Sequence, residues 1–479
     1  MRKSLAVFGT SSGAGKTLLA SLIIRRLRER GLRVAPFKAL NVSLNAGVGS
    51  GGEMAYAQVF QARIAGVEPE ADMNPVLVKP EPGGLHVVVQ GRHVATVDVN
   101  AFYSEGFQEL LRRRIAESLR RLSSRFDAVV IEGTGSPTEI NLPDLSNRYV
   151  LSISDARYIL VSDISRGGSL AAILGTVEIL GRERFAGAVL NRYSGSEELI
   201  RPAYDIMLRR YGIRILGYLP EYGLAAPWED SAETPPERSG SVRVLVLRAP
   251  YMSNFTDVFP LYLYPDVGIA FQSYAVGGYD LYILPGSKAT HADVKFMLRN
   301  GVREDLRAAV SDGSLVMGIC GGLQALGRRI VDRVESGAGE FDGLGLLDAI
   351  TVMAPVKSVH RSTALIERGP ARGTSVRGYE IHYGRTLHRT PFETITERDG
   401  RGVRINSGAY EGRVFGTYIH DIFLNGEFTL RLINHIRRNK GLREIWAGEV
   451  APYDDWFERI YRDFLRTVDV EALDRAILD

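Results

Sequence analysis

Short apolar runs recur along the first half of the chain, each closed by glycine or a polar turn: residues 5–8, 34–37, 128–131, 158–161, 186–190 and 215–219. Runs of this length predict buried strands. Between them, apolar positions repeat at helical spacing over 18–30, 55–65, 107–122, 170–180 and 199–211. Strand alternating with helix predicts an α/β fold, a doubly wound, mostly parallel sheet covered on both faces. The pattern breaks over 223–241, where proline, serine and acidic residues displace hydrophobic ones, and this stretch predicts a linker. A second set of strands opens at 242–247 and continues through 281–284 and 315–319, with a helix expected over 322–331. Segments 349–353, 402–405 and 414–418 predict antiparallel pairing, and helices are expected over 427–438 and 455–468. The expected organisation is two α/β domains, 1–222 and 242–479, joined by 223–241.

Composition narrows the class. The 479 residues are 45% hydrophobic and 24% charged, which excludes disorder as a description of the whole chain. Fifty-nine basic against 56 acidic residues leave +3, too balanced for general binding to nucleic acid or a membrane surface. No run approaches the roughly 18 apolar residues of a membrane span, and the run at 5–8 is too short for a signal-peptide core. A single cysteine, Cys320, excludes an internal disulfide framework and multi-cysteine metal sites. A cytoplasmic location is expected. Arg112–Arg114, Arg120 and Arg121 alternate with Leu111, Ile115, Leu119 and Leu122, the pattern of a solvated face on an amphipathic helix rather than a nucleic-acid surface.

Candidate chemistry begins at Gly9-Thr10-Ser11-Ser12-Gly13-Ala14-Gly15-Lys16-Thr17, which follows a predicted strand and opens a predicted helix. Backbone N–H groups of Gly13 and Gly15 and the helix N-terminus could cradle phosphates there, Lys16 reaching the outer phosphates and Thr17 a Mg²⁺ ion. The strict P-loop pattern wants glycine where Thr10 stands, so the loop is a variant. The bland alternative is a glycine-rich turn without ligand. Glu132, at the end of a buried strand, is the favoured carboxylate for the metal, and Glu53 is the second. The loops 36–45 and 163–168 also lie at strand ends; Lys38, Asp163 and Arg166 in them could instead pair with each other.

In the second half, Gly318-Ile319-Cys320-Gly321-Gly322 sets the cysteine in a glycine-flanked strand-to-helix turn. Small neighbours permit an exposed, strained nucleophile, the helix start favours the thiolate, and the following N–H groups could form part of an oxyanion hole. The alternative is an inert buried cysteine. A nucleophile needs a base. His420, at the tip of a predicted strand, is one candidate and His382 the other.

The turn through Gln324 matches the elbow of class I glutamine amidotransferases, and the Gly9–Thr17 loop resembles that of dethiobiotin synthetase-like ATPases. Their union resembles the glutamine-dependent cobyrinate amidating enzymes. Matched segments run along nearly the whole chain, among them Pro36-Phe37-Lys38, Glu132-Gly133-Thr134-Gly135-Ser136, Ser253-Asn254-Phe255-Thr256-Asp257, Leu284-Pro285-Gly286-Ser287-Lys288 and Gly378-Tyr379-Glu380-Ile381-His382. Ala39-Leu40-Asn41 is similar to the branch that amidates the b, d, e and g carboxylates, and unlike the a,c-diamide branch. The resemblance implies ATP and Mg²⁺ (Thr17, Glu132, Glu53) in the first domain and a class I glutamine amidotransferase-like second domain. It implies Cys320 as nucleophile, His420 as its base, and Gly286, Gly321 and Gln324 around the glutamine. Glutamine and the corrinoid adenosylcobyrinic acid a,c-diamide are the implied partners, with neither nucleic acid nor membrane; a homo-oligomer stays open. Three positions depart from the family pattern: Ser50 replaces an aspartate, Asp421 a glycine, and Ile422 the glutamate that often completes a triad. The third member of the triad is therefore unassigned. A P-loop partitioning ATPase is the rival reading, but Ser11 stands where its signature lysine belongs and it gives Cys320 no task. A non-catalytic corrinoid-binding protein is a second rival.

Overall fold

The computed structural model describes residues 3–223, 236–450 and 452–478. Most of the expected linker, 224–235, lies outside the described residues. The chain divides into two compact units: Met1–Ser43, Gly49–Asp230 and Phe457–Asp479 form the first, Leu44–Val48 and Ser231–Trp456 the second. Among the described residues no helix is long and apolar enough to cross a membrane.

The first unit is built on strands β1 (Lys3–Gly9), β2 (Val34–Phe37), β3 (Ala128–Glu132), β4 (Arg157–Asp163), β5 (Phe185–Tyr193) and β6 (Ile215–Pro220). They lie in the order β6-β5-β4-β1-β3-β2, every pair parallel. Both faces of β1 are covered, so Leu5, Ala6, Val7 and Phe8 are all fully buried and the strand reads as a continuous apolar run. The chain leaves β1 through helix α1 (Lys16–Glu29) toward β2, whereas its neighbours β3 and β4 connect toward the other edge. That reversal opens a crevice at the carboxyl ends of β1, β3 and β4, where ligands of such sheets bind. A smaller sheet of Leu40–Val42, Val76–Glu81, Gly84–Val89 and Arg92–Val97 flanks this core. The arginine-rich helix Glu105–Arg125 buries Leu111, Ile115, Leu119 and Leu122, while Arg121 pairs with Asp72 and Arg114 with Glu117.

The expected second domain, 242–479, needs correction at its end: residues from Phe457 onward belong to the first unit. Helix Tyr453–Thr467 and helix Val470–Leu478 follow, and Val468 between them bridges to Gly217 on β6. Phe457 stacks edge-on against Phe60 at 5.8 Å, Arg25 pairs with Glu458 at 2.6 Å, and Arg26 with Asp474 at 2.7 Å.

In the second unit, strands β7 (Val242–Leu247), β8 (Val267–Gln272), β9 (Leu281–Leu284), β10 (Leu315–Ile319), β11 (Ala409–Glu411) and β12 (Val414–Thr417) form a sheet in the order β8-β7-β9-β10-β12-β11. Only β11 runs antiparallel to its neighbour. The antiparallel expectation for 414–418 holds along one edge, where β12 pairs with β11, Ala409 opposite Gly416; along the other, β12 pairs in parallel with β10, Val316 opposite Val414. Two parallel neighbours end together, and Cys320 and His420 follow those ends. The helix expected over 322–331 is also shorter than read. Helix α2 (Gly321–Leu326) stops at Gly327, whose extended backbone starts the strand Gly327–Asp332. The strand is defined by its pairing, Ile330 lying opposite Phe341 on one side and Thr351 on the other. This strand joins a second sheet with Leu347–Ile366, Ser375–Leu387, Glu393–Arg398 and Arg401–Ser407.

Candidate active sites

In the first unit, the loop after β1 folds tightly over its own start. Gly13 and Gly15 have φ of 68° and 106°, and a side chain at Gly15 would collide with the Asn191 amide. That amide donates to the Ala14 carbonyl at 3.0 Å and holds the loop. Lys16 is buried and arches back, its Nζ donating to the carbonyls of Ser11 at 3.1 Å and Gly135 at 3.0 Å. Glu132, the last residue of β3, is 1% exposed and gathers three donors. Thr17 Oγ1 and Lys38 Nζ reach its Oε1 at 2.9 and 2.8 Å, and Gln61 Nε2 reaches Oε2 at 2.6 Å. Lys38 therefore pairs with Glu132 rather than Asp163, which takes Arg192 at 2.7 Å. Glu53, buried on the strand Gly52–Ala55, is ion-paired with Lys79.

A hydroxyl and a carboxylate in contact at the foot of a phosphate loop are hard oxygen donors of the kind Mg²⁺ takes. Among the described residues no group of three or more His, Cys, Asp or Glu could hold a metal by itself. These residues thus fit an ion that keeps waters and shares phosphate oxygens, rather than one caged by protein.

In the second unit β10 delivers Cys320 at φ 52° and ψ −108°, backbone that a non-glycine residue adopts only under constraint. A side chain at Gly322 would strike the Leu284 carbonyl, and one at Gly321 would stand 2.6 Å from the Ser287 amide nitrogen. The flanking glycines are what allow the turn. From β12 the chain runs through Tyr418 and Ile419 to His420, whose imidazole interacts electrostatically with Cys320, while the thiol itself donates to the Ile381 carbonyl at 3.5 Å. The other ring nitrogen, Nδ1, lies 2.8 Å from Asp257 Oδ2, with both side chains almost wholly buried. Burial by itself would depress the imidazolium. The charge and hydrogen bond of Asp257, with the contact to Cys320, outweigh it and lift His420 to about 10. The Tyr379 ring stacks on His420, centroids 5.1 Å apart and planes 16° from parallel.

Sequence-predicted residues are not all brought together. Gly286 borders the imidazole, since a Cβ there would lie 3.4 Å from His420 Cε1. Gln324 is buried in α2, and its Oε1 accepts a hydrogen bond from the Thr290 hydroxyl at 3.1 Å. His382 has both ring nitrogens engaged, Nδ1 2.7 Å from the Gly384 carbonyl and Nε2 3.4 Å from Glu380. Its face stacks on Tyr418 at 3.8 Å, so it builds the wall of the site. Sequence reasoning missed Asp257. The signal was present in Ser253–Asp257, a polar-ended segment closing on a carboxylate that ends up wholly buried.

Two family models match. Residues 5–227 match the CobQ/CobB/MinD/ParA nucleotide binding domain, and residues 243–428 the CobB/CobQ-like glutamine amidotransferase domain. A nucleotide-binding unit joined to a glutamine amidotransferase defines the class, a ligase that takes its amide nitrogen from glutamine. The chain is 40% identical over 478 residues to a probable cobyric acid synthase of Thermococcus onnurineus, covering 98% of each. It is 38% identical to the cobyric acid synthase of Syntrophobacter fumaroxidans, covering 99% of this chain and 98% of that one. It belongs to the cobyric acid synthase family.

Proposed function

We propose that the protein uses ATP and glutamine to amidate the b, d, e and g carboxylates of adenosylcobyrinic acid a,c-diamide. The observation that carries this reading is the joining, in one chain, of the Lys16–Thr17 loop with Glu132 beside it to the Cys320 elbow and the His420 imidazole that interacts with it electrostatically. A carboxylate does not accept ammonia at neutral pH unless an oxygen is first made a leaving group. The carboxylate attacks the γ-phosphoryl group of ATP, giving an acyl phosphate and ADP, with Lys16 and the loop amides holding the charge on the transferring group. Thr17 and Glu132, with Glu53 as a further carboxylate, would hold Mg²⁺, which offsets phosphate charge when bound.

In the second unit the Cys320 thiolate attacks the glutamine carboxamide carbon, and the N–H groups at Gly286 and Gly321 would stabilise the developing oxyanion. His420 gives its proton to the departing nitrogen, and ammonia leaves a thioester on Cys320. Water, deprotonated by His420, hydrolyses the thioester to glutamate and restores the thiolate–imidazolium pair. Ammonia displaces phosphate from the acyl phosphate and yields the amide.

Incubating purified protein with the a,c-diamide, ATP and glutamine, and counting added amides by mass spectrometry, tests this. Four added amides, each matched by one ADP and one glutamate, are expected. An unchanged corrinoid, or ATP hydrolysis with no amide formed, would overturn it.

A further inference from the structure

We propose that Asp257 is the third member of the glutaminase centre, a positioning residue that fixes the tautomer and orientation of His420; this rests on the glutaminase reading above. The position that would supply a carboxylate locally is closed. Ile422, two residues past the histidine, is fully buried in the core, as is Phe423 after it at 1% exposure. The carboxylate comes instead from a residue 163 positions earlier, on the short helix Phe255–Leu263.

Both oxygens of Asp257 are engaged in the same corner. Oδ2 takes His420 Nδ1–H at 2.8 Å, and Oδ1 takes the backbone N–H of Asp421 at 2.7 Å. Asp421 has φ 60°, so the turn directly after the histidine is left-handed at a non-glycine residue and needs an external hold. One carboxylate thus grips the ring and the main chain that carries it. With Nδ1 committed as donor, Nε2 is the atom left to exchange a proton with Cys320.

The same segment also fixes the ring's face. Asn254 donates to the Tyr379 hydroxyl at 3.0 Å, and Tyr379 is the ring stacked on His420. Asn254 accepts the Asp257 N–H at 3.1 Å through its carbonyl, which ties the two anchors together. The ionisable neighbours of His420 are therefore Asp257 at its edge, Tyr379 on its face, Cys320 at the far nitrogen and Asp421 next in the chain.

A purely structural role, capping the Asp421 turn, gives different results from a positioning role, and Asp257→Asn separates them. The asparagine carbonyl still accepts the Asp421 N–H. Its NH₂, however, faces Nδ1 and forces that nitrogen to accept, which puts the ring proton on Nε2 against the sulfur. Glutaminase kcat should fall by about 10²–10⁴-fold, the scale seen when an orienting aspartate becomes asparagine, with KM for glutamine little changed. Asp257→Glu keeps the charge and should recover part of that loss. Amidation with ammonium in place of glutamine should match wild type in both variants.

Nitrogen-15 NMR of histidine-labelled protein supplies a readout that capping would not move. The wild-type Nδ1–H signal should vanish in Asp257→Asn, and the His420 titration midpoint should drop. Glutaminase kcat within about threefold of wild type, or a loss of kcat with an unshifted His420 titration, would overturn the proposal. If the wild-type protein shows no glutaminase at all, the functional reading fails, while the NMR comparison still decides whether Asp257 holds His420.

Discussion

Glu393 lies wholly buried at the start of the strand Glu393–Arg398, and the Thr417 hydroxyl at the end of β12 donates to it at 2.8 Å. Burial drives its pKa up to about 8; the Thr417 hydrogen bond opposes that rise and the charge of Glu380 adds to it. At neutral pH this is a neutral acid beneath the strand that leads to His420. In the unfolded chain it returns to 4.5. Between these values the native state keeps a proton that the unfolded state releases, so stability falls as pH rises through the window, by up to about 1.4 kcal/mol per pH unit. Above pH 8 both states are ionised and the contribution levels off. Glu393→Gln removes this slope. Urea unfolding of wild type and variant at several pH values across the window should show the variant gaining relative stability toward the alkaline side; parallel pH profiles would show that Glu393 titrates normally. Residues of this kind separate what a sequence tells from what it withholds. Cys320 was legible because it is the only cysteine and glycines flank it. Asp257 and Glu393 were not, because their chemistry comes from burial and from partners brought near by strand pairing.

Whole elements were more legible than single contacts wherever burial on both faces made a strand uniformly apolar. All six predicted strands of the first sheet formed, each within a few residues of its expected ends. The reading failed where a glycine could be either a helix residue or a stop, as at Gly327. It was incomplete where a long insertion separated sheet neighbours: the antiparallel pairing of β12 with the nearby β11 was legible, its parallel pairing with the distant β10 was not. Glycines make the element-scale prediction. Gly175 is exposed in the helix Ser169–Leu180, with nothing within 4 Å of an added Cβ, so it costs backbone entropy and fills no packing need. Gly175→Ala should stabilise the first unit by about 0.5–1 kcal/mol. Gly322→Ala, whose methyl group meets the Leu284 carbonyl, should destabilise the second unit by about 1–3 kcal/mol or more and distort the cysteine turn. Equilibrium unfolding with a separate probe for each unit checks both signs. A stabilising Gly322→Ala would mean that the elbow is looser than its contacts indicate.

At the scale of the molecule, each unit carries a complete half of the proposed reaction, and substitutions should divide along that line. In the proposed mechanism acyl-phosphate formation requires Lys16 and the carboxylate-bearing end of β3, whichever source supplies nitrogen. Lys16→Ala should therefore abolish amidation with glutamine and with ammonium alike, in a protein that still folds. Cys320→Ala should lose only the glutamine-dependent reaction. With saturating ammonium at alkaline pH, where free ammonia is available, it should add as many amides as wild type. His420→Ala should follow Cys320→Ala, with any residual glutaminase drawn from preorganised N–H donors, which by themselves supply about 10²–10³ in rate. His382→Ala is the control, because both its ring nitrogens are committed to Gly384 and Glu380; its glutaminase defect should be smaller than that of His420→Ala. Counting amides by mass with each nitrogen source gives every variant two independent scores. If a folded Cys320→Ala protein lost the ammonium-dependent reaction, the thiol would be part of the synthetase chemistry and the two halves would not be separable.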